Sequence, residues 1–99
     1  MRRYGLIGYP LSHSFSQKYF TEKFEKAGIT GFRYDLFPLH SIAELKPLLL
    51  QYPDLEGLNV TIPYKQQVME LLDDSTRIPA ALGACNCIRI NKGRLTGYN

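Results

Sequence analysis

Short apolar runs that alternate with stretches of helical spacing constrain this chain more than any other feature. Residues 4–7, Tyr-Gly-Leu-Ile, form one such run, stopped by Gly8, Pro10 and a cluster of serines. Ser14 and Ser16 stand where a helix N-cap belongs, and Phe15, Tyr19, Phe20 and Phe24 follow at helical spacing up to Gly28, a suitable stop. Over 32–37, Phe32, Tyr34 and Leu36 alternate with Arg33 and Asp35, the two-residue period of a strand. Ser41-x-x-Glu44 has the form of a capping box. Pro47 falls in the second turn of that helix and is expected to kink or restart it, placing most of it over 47–52. A third β-rich run spans 58–62, Pro63 suits a first helical position, and Tyr64, Val68, Leu71 and Leu72 give an apolar face to about Asp73. Ser75 predicts the cap of a further short helix toward Leu82. Residues 87–90 and 94–96 predict a hairpin around a three-residue loop, Asn91-Lys92-Gly93. The order β-α-β-α-β-α-α-β-β predicts an α/β fold. It would be a three-layer, mainly parallel sheet with helices on both faces and a C-terminal β-hairpin that adds antiparallel character at one side.

With 99 residues, the chain is expected to form one domain, 1–99, with a modest core. A hydrophobic content of 44% against 21% charged residues places it among globular rather than disordered chains. The 12 basic and 9 acidic residues are scattered, so neither a nucleic-acid stripe nor a polybasic membrane anchor is present. The expected partner is a small anionic molecule. The basic start, Met1-Arg2-Arg3, lacks the unbroken apolar run of a signal peptide, and no stretch approaches a membrane span. Cys85 and Cys87 are too close together to staple a fold. These features predict a cytoplasmic protein.

In open α/β sheets ligands gather beyond the carboxyl ends of the strands, and three polar clusters here follow predicted strands. In the first, residues 8–16, Gly8 and Pro10 shape a tight exit, while Ser14 and Ser16 at a helix start make a seat for a carboxylate or phosphate. Plain capping accounts for one serine but not for two at alternate positions; His13 reads as a loop-packing residue, and the Gly-Lys-Ser/Thr ending of a phosphate loop is absent. In the second, residues 59–65, Lys65 is expected to project from the first turn of a helix, where a cation is disfavoured. That placement would lower its pKa toward the range useful for proton transfer, the alternative being a solvated surface lysine. Asn59 and Thr61 alternate, so their side chains are expected to face a common side. In the third, residues 83–87, Asn86 offers both a donor and an acceptor, which suits the reading of a sugar-like hydroxyl. Cys85 and Cys87 have the wrong spacing for structural zinc, and only His13 and His40 remain to complete a site, so no metal is expected and both thiols are read as buried.

The segments GYPLSHSFS at 8–16, NVTIPYK at 59–65, GACNCI at 83–88 and GYN at 97–99 together resemble the N-terminal, substrate-binding domain of shikimate dehydrogenases, in the family's order and spacing. The resemblance implies an enzyme that reduces 3-dehydroshikimate to shikimate with NADPH on the route to aromatic amino acids. It implies that Ser14 and Ser16 hold the substrate carboxylate, that Thr61, Lys65 and Asn86 contact the ring hydroxyls and the reacting oxygen, and that Lys65 is the acid/base residue. Departures are Gln17 where the family has proline and Cys87 where it commonly has threonine. The family's Gly-x-Asn-Thr-Asp motif is matched only as far as Asn99, so its Asp, its NADP-binding Rossmann domain and a packing helix from the far end are expected to be missing. On that reading the chain is truncated, inactive in hydride transfer alone, and prone to self-association. The alternatives are a quinate/shikimate dehydrogenase of broader specificity, with NAD as a candidate cofactor, a non-catalytic module that binds a cyclic hydroxy acid, and a structural domain without a ligand.

Overall fold

The first apolar run becomes β1 (Arg2–Gly8), and its last four residues are all buried. The structure, a computed structural model, describes residues 2–12 and 16–99, the side chain of Ser16 excepted. β1 lies between two parallel partners, β2 (Phe32–Pro38) and β3 (Leu55–Val60), with Leu6 level with both Leu36 and Asn59. A strand covered on both faces has no polar side to show, so residues 4–7 carry no period of two. Adjacent residues of β1 serve different clusters: Leu6 packs with Leu11 and Tyr34, and against Phe20, while Ile7 joins the larger cluster of Leu45, Leu48, Leu58, Val60, Tyr64, Val68 and Ile88.

Three helices connect the strands. α1 (Ser16–Lys26) ends near Gly28, whose φ of 74° is the left-handed conformation expected at a helix stop. Before α2 (Leu45–Gln51) lies a 3-10 turn, Ile42–Glu44. Ser41 Oγ accepts from the Ala43 N–H at 3.2 Å, and the Glu44 carboxylate accepts from the His40 N–H at 2.6 Å. This is the expected capping box with each of its two arms displaced by one residue. The helix restarts as anticipated, but at Leu45, so that Pro47 sits in the first turn of α2, where its missing N–H costs nothing. α3 (Tyr64–Gln67) is a single turn that tightens into 3-10 geometry over Val68–Leu71.

The segment after it departs from expectation. Instead of a helix from Ser75 toward Leu82 there is β4 (Asp74–Arg77), paired in parallel with β6 (Arg94–Tyr98) through Asp74–Thr96 and Arg77–Tyr98. Asp74 Oδ1 accepts from both the N–H and the hydroxyl of Thr76, at 2.9 and 2.7 Å, so the local hydrogen bonds that a helix would need are already used. Asp73 then fastens the strand, since its N–H donates to the Leu95 carbonyl and its carboxylate accepts from the Leu95 N–H.

β5 (Cys87–Asn91) and β6 form the expected hairpin, but its loop has two residues. Asn91 pairs with Arg94, and Lys92 and Gly93 have φ of 52° and 79°, a type I′ turn whose twist matches the strands. The strand order is β2-β1-β3-β5-β6-β4. β3–β5 and β5–β6 are antiparallel while the other three pairings are parallel, so the sheet is mixed with parallel pairings in the majority, and the hairpin brings the antiparallel character.

Candidate functional site

Main-chain hydrogen bonds stitch the carboxyl ends of β1, β2 and β3 into one rim. The Leu39 N–H donates to the Gly8 carbonyl at 3.0 Å, the Thr61 N–H to Ile7 at 3.0 Å and the Tyr9 N–H to Ile62 at 3.1 Å. Gly8 is required here: a Cβ would stand 2.4 Å from Thr61 Cγ2 and 3.0 Å from the Ile62 oxygen. The tight exit predicted from Gly8 and Pro10 is therefore also the surface on which Thr61 rests.

Lys65 and Asn86 reach the same rim. The Cys85 N–H donates to the Lys65 carbonyl at 2.8 Å, and the Val60 N–H donates to the Asn86 carbonyl at 2.8 Å. The third cluster precedes a strand rather than following one. It arrives at the carboxyl end of β3 because β5 runs antiparallel to β3, with Cys87 opposite Asn59. The same inversion brings the end of β6 to the rim, where Tyr98 pairs with Cys87 and its carbonyl accepts from the Asn86 N–H at 2.9 Å.

The side chains around this rim are held to different degrees. Lys65 is half-buried and, among the described residues, makes no ion pair. Its helix has four α-helical residues, so little aligned dipole builds up and that part of the argument for Lys65 loses its support. The Asn86 Nδ2 donates to Asn99 Oδ1 at 2.9 Å, and Asn99 Nδ2 donates to the Ala84 carbonyl at 2.7 Å. Asn59 is engaged elsewhere, since its Nδ2 donates to the Tyr34 hydroxyl at 2.8 Å; burial pushes that phenol's pKa up. Tyr64 is buried beside the rim, with its hydroxyl donating to the Leu39 carbonyl, and burial likewise raises its pKa. The rings of Tyr9 and His40 pack at 4.6 Å.

Ser14 and His13 lie outside the described residues, as does the side chain of Ser16, although Ser16 opens α1. Gln17 has a use of its own: its Nε2 donates to the Tyr34 carbonyl at 3.1 Å, tying the start of α1 to β2. Of the two thiols expected to be buried, only Cys85 is; Cys87 is exposed on β5. Burial raises the pKa of Cys85, and no group of three or more metal-ligating side chains occurs among the described residues. None of their helices is long and apolar enough to cross a membrane. Sequence reasoning missed the Asn99–Asn86 and Tyr34–Asn59 pairs, whose partners are 13 and 25 residues apart and carry no local signal.

A mixed sheet with polar groups gathered beyond one set of strand ends defines a ligand-binding domain of the open α/β class. The family model for the shikimate dehydrogenase substrate-binding domain matches residues 6–88, and the chain belongs to that family. It is similar to shikimate dehydrogenase (NADP(+)) of Halothermothrix orenii, 39% identical over 102 residues that cover 96% of this chain and 33% of the relative. Among solved structures, shikimate dehydrogenase 1 of Peptoclostridium difficile superposes with a TM-score of 0.86 at 34% identity, covering 100% of this chain and 37% of that one. Shikimate 5-dehydrogenase of Thermus thermophilus, solved in complex with shikimate, gives 0.87 at 27% identity, covering 100% and 38%. The chain thus spans about a third of the length of the curated relative.

Proposed function

We propose that this chain is the substrate-binding and acid/base part of an NADP-dependent shikimate dehydrogenase, which reduces 3-dehydroshikimate to shikimate for aromatic amino-acid synthesis. The carrying observation is the convergence of Thr61, Lys65 and Asn86 on one strand-end rim in a member of this family. Ser14 and Ser16 take the substrate carboxylate, Thr61 and Asn86 the ring hydroxyls, and Lys65 exchanges a proton with the oxygen at the carbon that receives or gives the hydride. Residues 1–99 act as one substrate-binding domain with helices on both faces of the sheet, in a cytoplasmic protein.

NADPH would supply the hydride, and the described residues do not fit it. Of the three connections that leave a strand for a helix, the first uses Gly8 against Thr61 and contains Pro10, the second is Leu39-His40-Ser41, and the third is Thr61-Ile62-Pro63. None carries the glycine-rich sequence of a turn that cradles a pyrophosphate. The cofactor is therefore held by residues beyond these 99, and the 99-residue chain alone binds shikimate weakly without transferring hydride. An isolated chain that reduced NADP+ with shikimate would overturn this.

In the full-length protein, Lys65→Ala lowers turnover by orders of magnitude with a much smaller change in shikimate affinity; the reverse pattern makes Lys65 a binding residue only. Calorimetry with shikimate tests the carboxylate seat, since Ser14→Ala with Ser16→Ala should abolish the heat. Turnover of quinate equal to that of shikimate would favour the broader enzyme. A groove of about 550 Å³ lies between Phe20 and Phe24 of α1 and Leu58, Ile88 and Ile90 of β3 and β5, and it supports self-association of the isolated chain. Light scattering that shows a monomer at all concentrations would refute that.

A further inference from the structure

We infer that Asn99 is a positioning residue that fixes which end of the Asn86 carboxamide faces the ligand. The inference rests on the reading of this rim as a shikimate site. Its anchor is the Ala84 carbonyl, which can only accept a hydrogen bond. The Asn99 atom 2.7 Å from it must therefore be the Nδ2 donor. That turns Asn99 Oδ1 toward Asn86, and an oxygen there demands a donor, so Asn86 presents its Nδ2 at 2.9 Å. Each amide orientation follows from the one before, back to a main-chain group whose polarity is fixed.

The backbone holds both ends of this chain of amides in place. The Asn86 N–H donates to the Tyr98 carbonyl at 2.9 Å, and the Asn86 carbonyl accepts from the Val60 N–H. Asn86 and Asn99 are thus adjacent through the main chain as well as through their side chains. With one Nδ2 hydrogen committed to Asn99, Asn86 keeps its Oδ1 acceptor and its second Nδ2 hydrogen, each at a place set by Asn99. A ligand hydroxyl can donate to that Oδ1 and accept from the remaining Nδ2 hydrogen, and turning the carboxamide over would exchange the two. Asn99 in this way fixes on which side Asn86 accepts from a ligand hydroxyl and on which side it donates. Both residues are exposed, so their replacement leaves the core intact.

The test is a double-mutant cycle in the full-length protein, with shikimate affinity read by calorimetry. Asn99→Ala should weaken shikimate binding about tenfold in the unaltered background and not at all in Asn86→Ala, a coupling of ~1.4 kcal/mol. Asn99→Asp retains an acceptor for Asn86 but loses the donor to Ala84, and should fall between the two. In the unliganded protein, the Asn86 carboxamide proton bonded to Asn99 should move upfield by NMR in Asn99→Ala. Equal losses in both backgrounds, or an unmoved Asn86 signal, would overturn the inference. If the unaltered protein binds no shikimate, the proposed function fails instead, while the Asn86 signal still decides the orientation.

Discussion

Single residues here act through what they touch, and the two clearest cases are Gly97 and Asp74. A Cβ on Gly97 would lie 2.4 Å from Leu72 Cδ1 and 3.1 Å from Cys85 Sγ. Gly97→Ala should therefore destabilise the fold by about 1–3 kcal/mol through overpacking, read as a lower urea midpoint with an unchanged slope. Asp74 is a matter of charge. Its two hydrogen bonds from Thr76, helped by Arg94 at 3.9 Å, hold its carboxyl pKa below the ordinary 3.8. A lowered folded-state pKa contributes stability that is complete above the unfolded value and lost as pH falls through the folded one. Asp74→Asn should thus cost stability at neutral pH. The difference from the unaltered chain should shrink once pH drops below about 4 and vanish below the depressed value, as followed by urea unfolding at a series of pH values. A penalty that persisted unchanged in acid would place the effect in shape rather than charge.

At the level of elements, the β5–β6 hairpin and β4 show how far local pattern reaches. The Gly-containing loop is legible because left-handed turn residues leave a chemical mark, and only its length differs from expectation. Lys92, with φ of 52°, is the ill-suited member of the type I′ turn. Lys92→Asn should stabilise the hairpin by a few tenths to about 1 kcal/mol, visible as a raised urea midpoint; a fall would mean the Lys92 side chain does something its exposure does not suggest. β4 escapes a local reading because Ser75 and Pro79 look like helix boundaries. The competing influence, pairing with β6 some 20 residues on, has no local signature. Gln17 is similar: its amide finds the Tyr34 carbonyl on β2, 17 residues on.

For the whole molecule, one cluster joins α2, α3 and strands β1, β2, β3, β5 and β6, with Ile7, Leu45, Val68 and Ile88 wholly buried. Leu45→Ala should cost about 2–5 kcal/mol, a large part of the roughly 5–15 kcal/mol typical of a domain. Loss of cooperative unfolding in that variant would confirm that the cluster is a single unit; a loss of stability under about 1 kcal/mol would show the site collapsing around the gap. A radius of gyration of 13.2 Å is that of a compact domain, about 13 Å for 100 residues, so the open groove beside α1 interrupts a folded body rather than marking a loose one.

The sequence by itself determined the first three strands, the helices between them, the Gly8 exit and the closing hairpin, because each leaves a local mark: a period or a turn residue. Only the tertiary structure decided that β5 reverses direction, so that Asn86 comes to the rim from the start of a strand. Only it paired Asn99 with Asn86 and Asn59 with Tyr34. Direction and long-range pairing depend on which backbone edges meet in space, and no window of neighbouring residues encodes that.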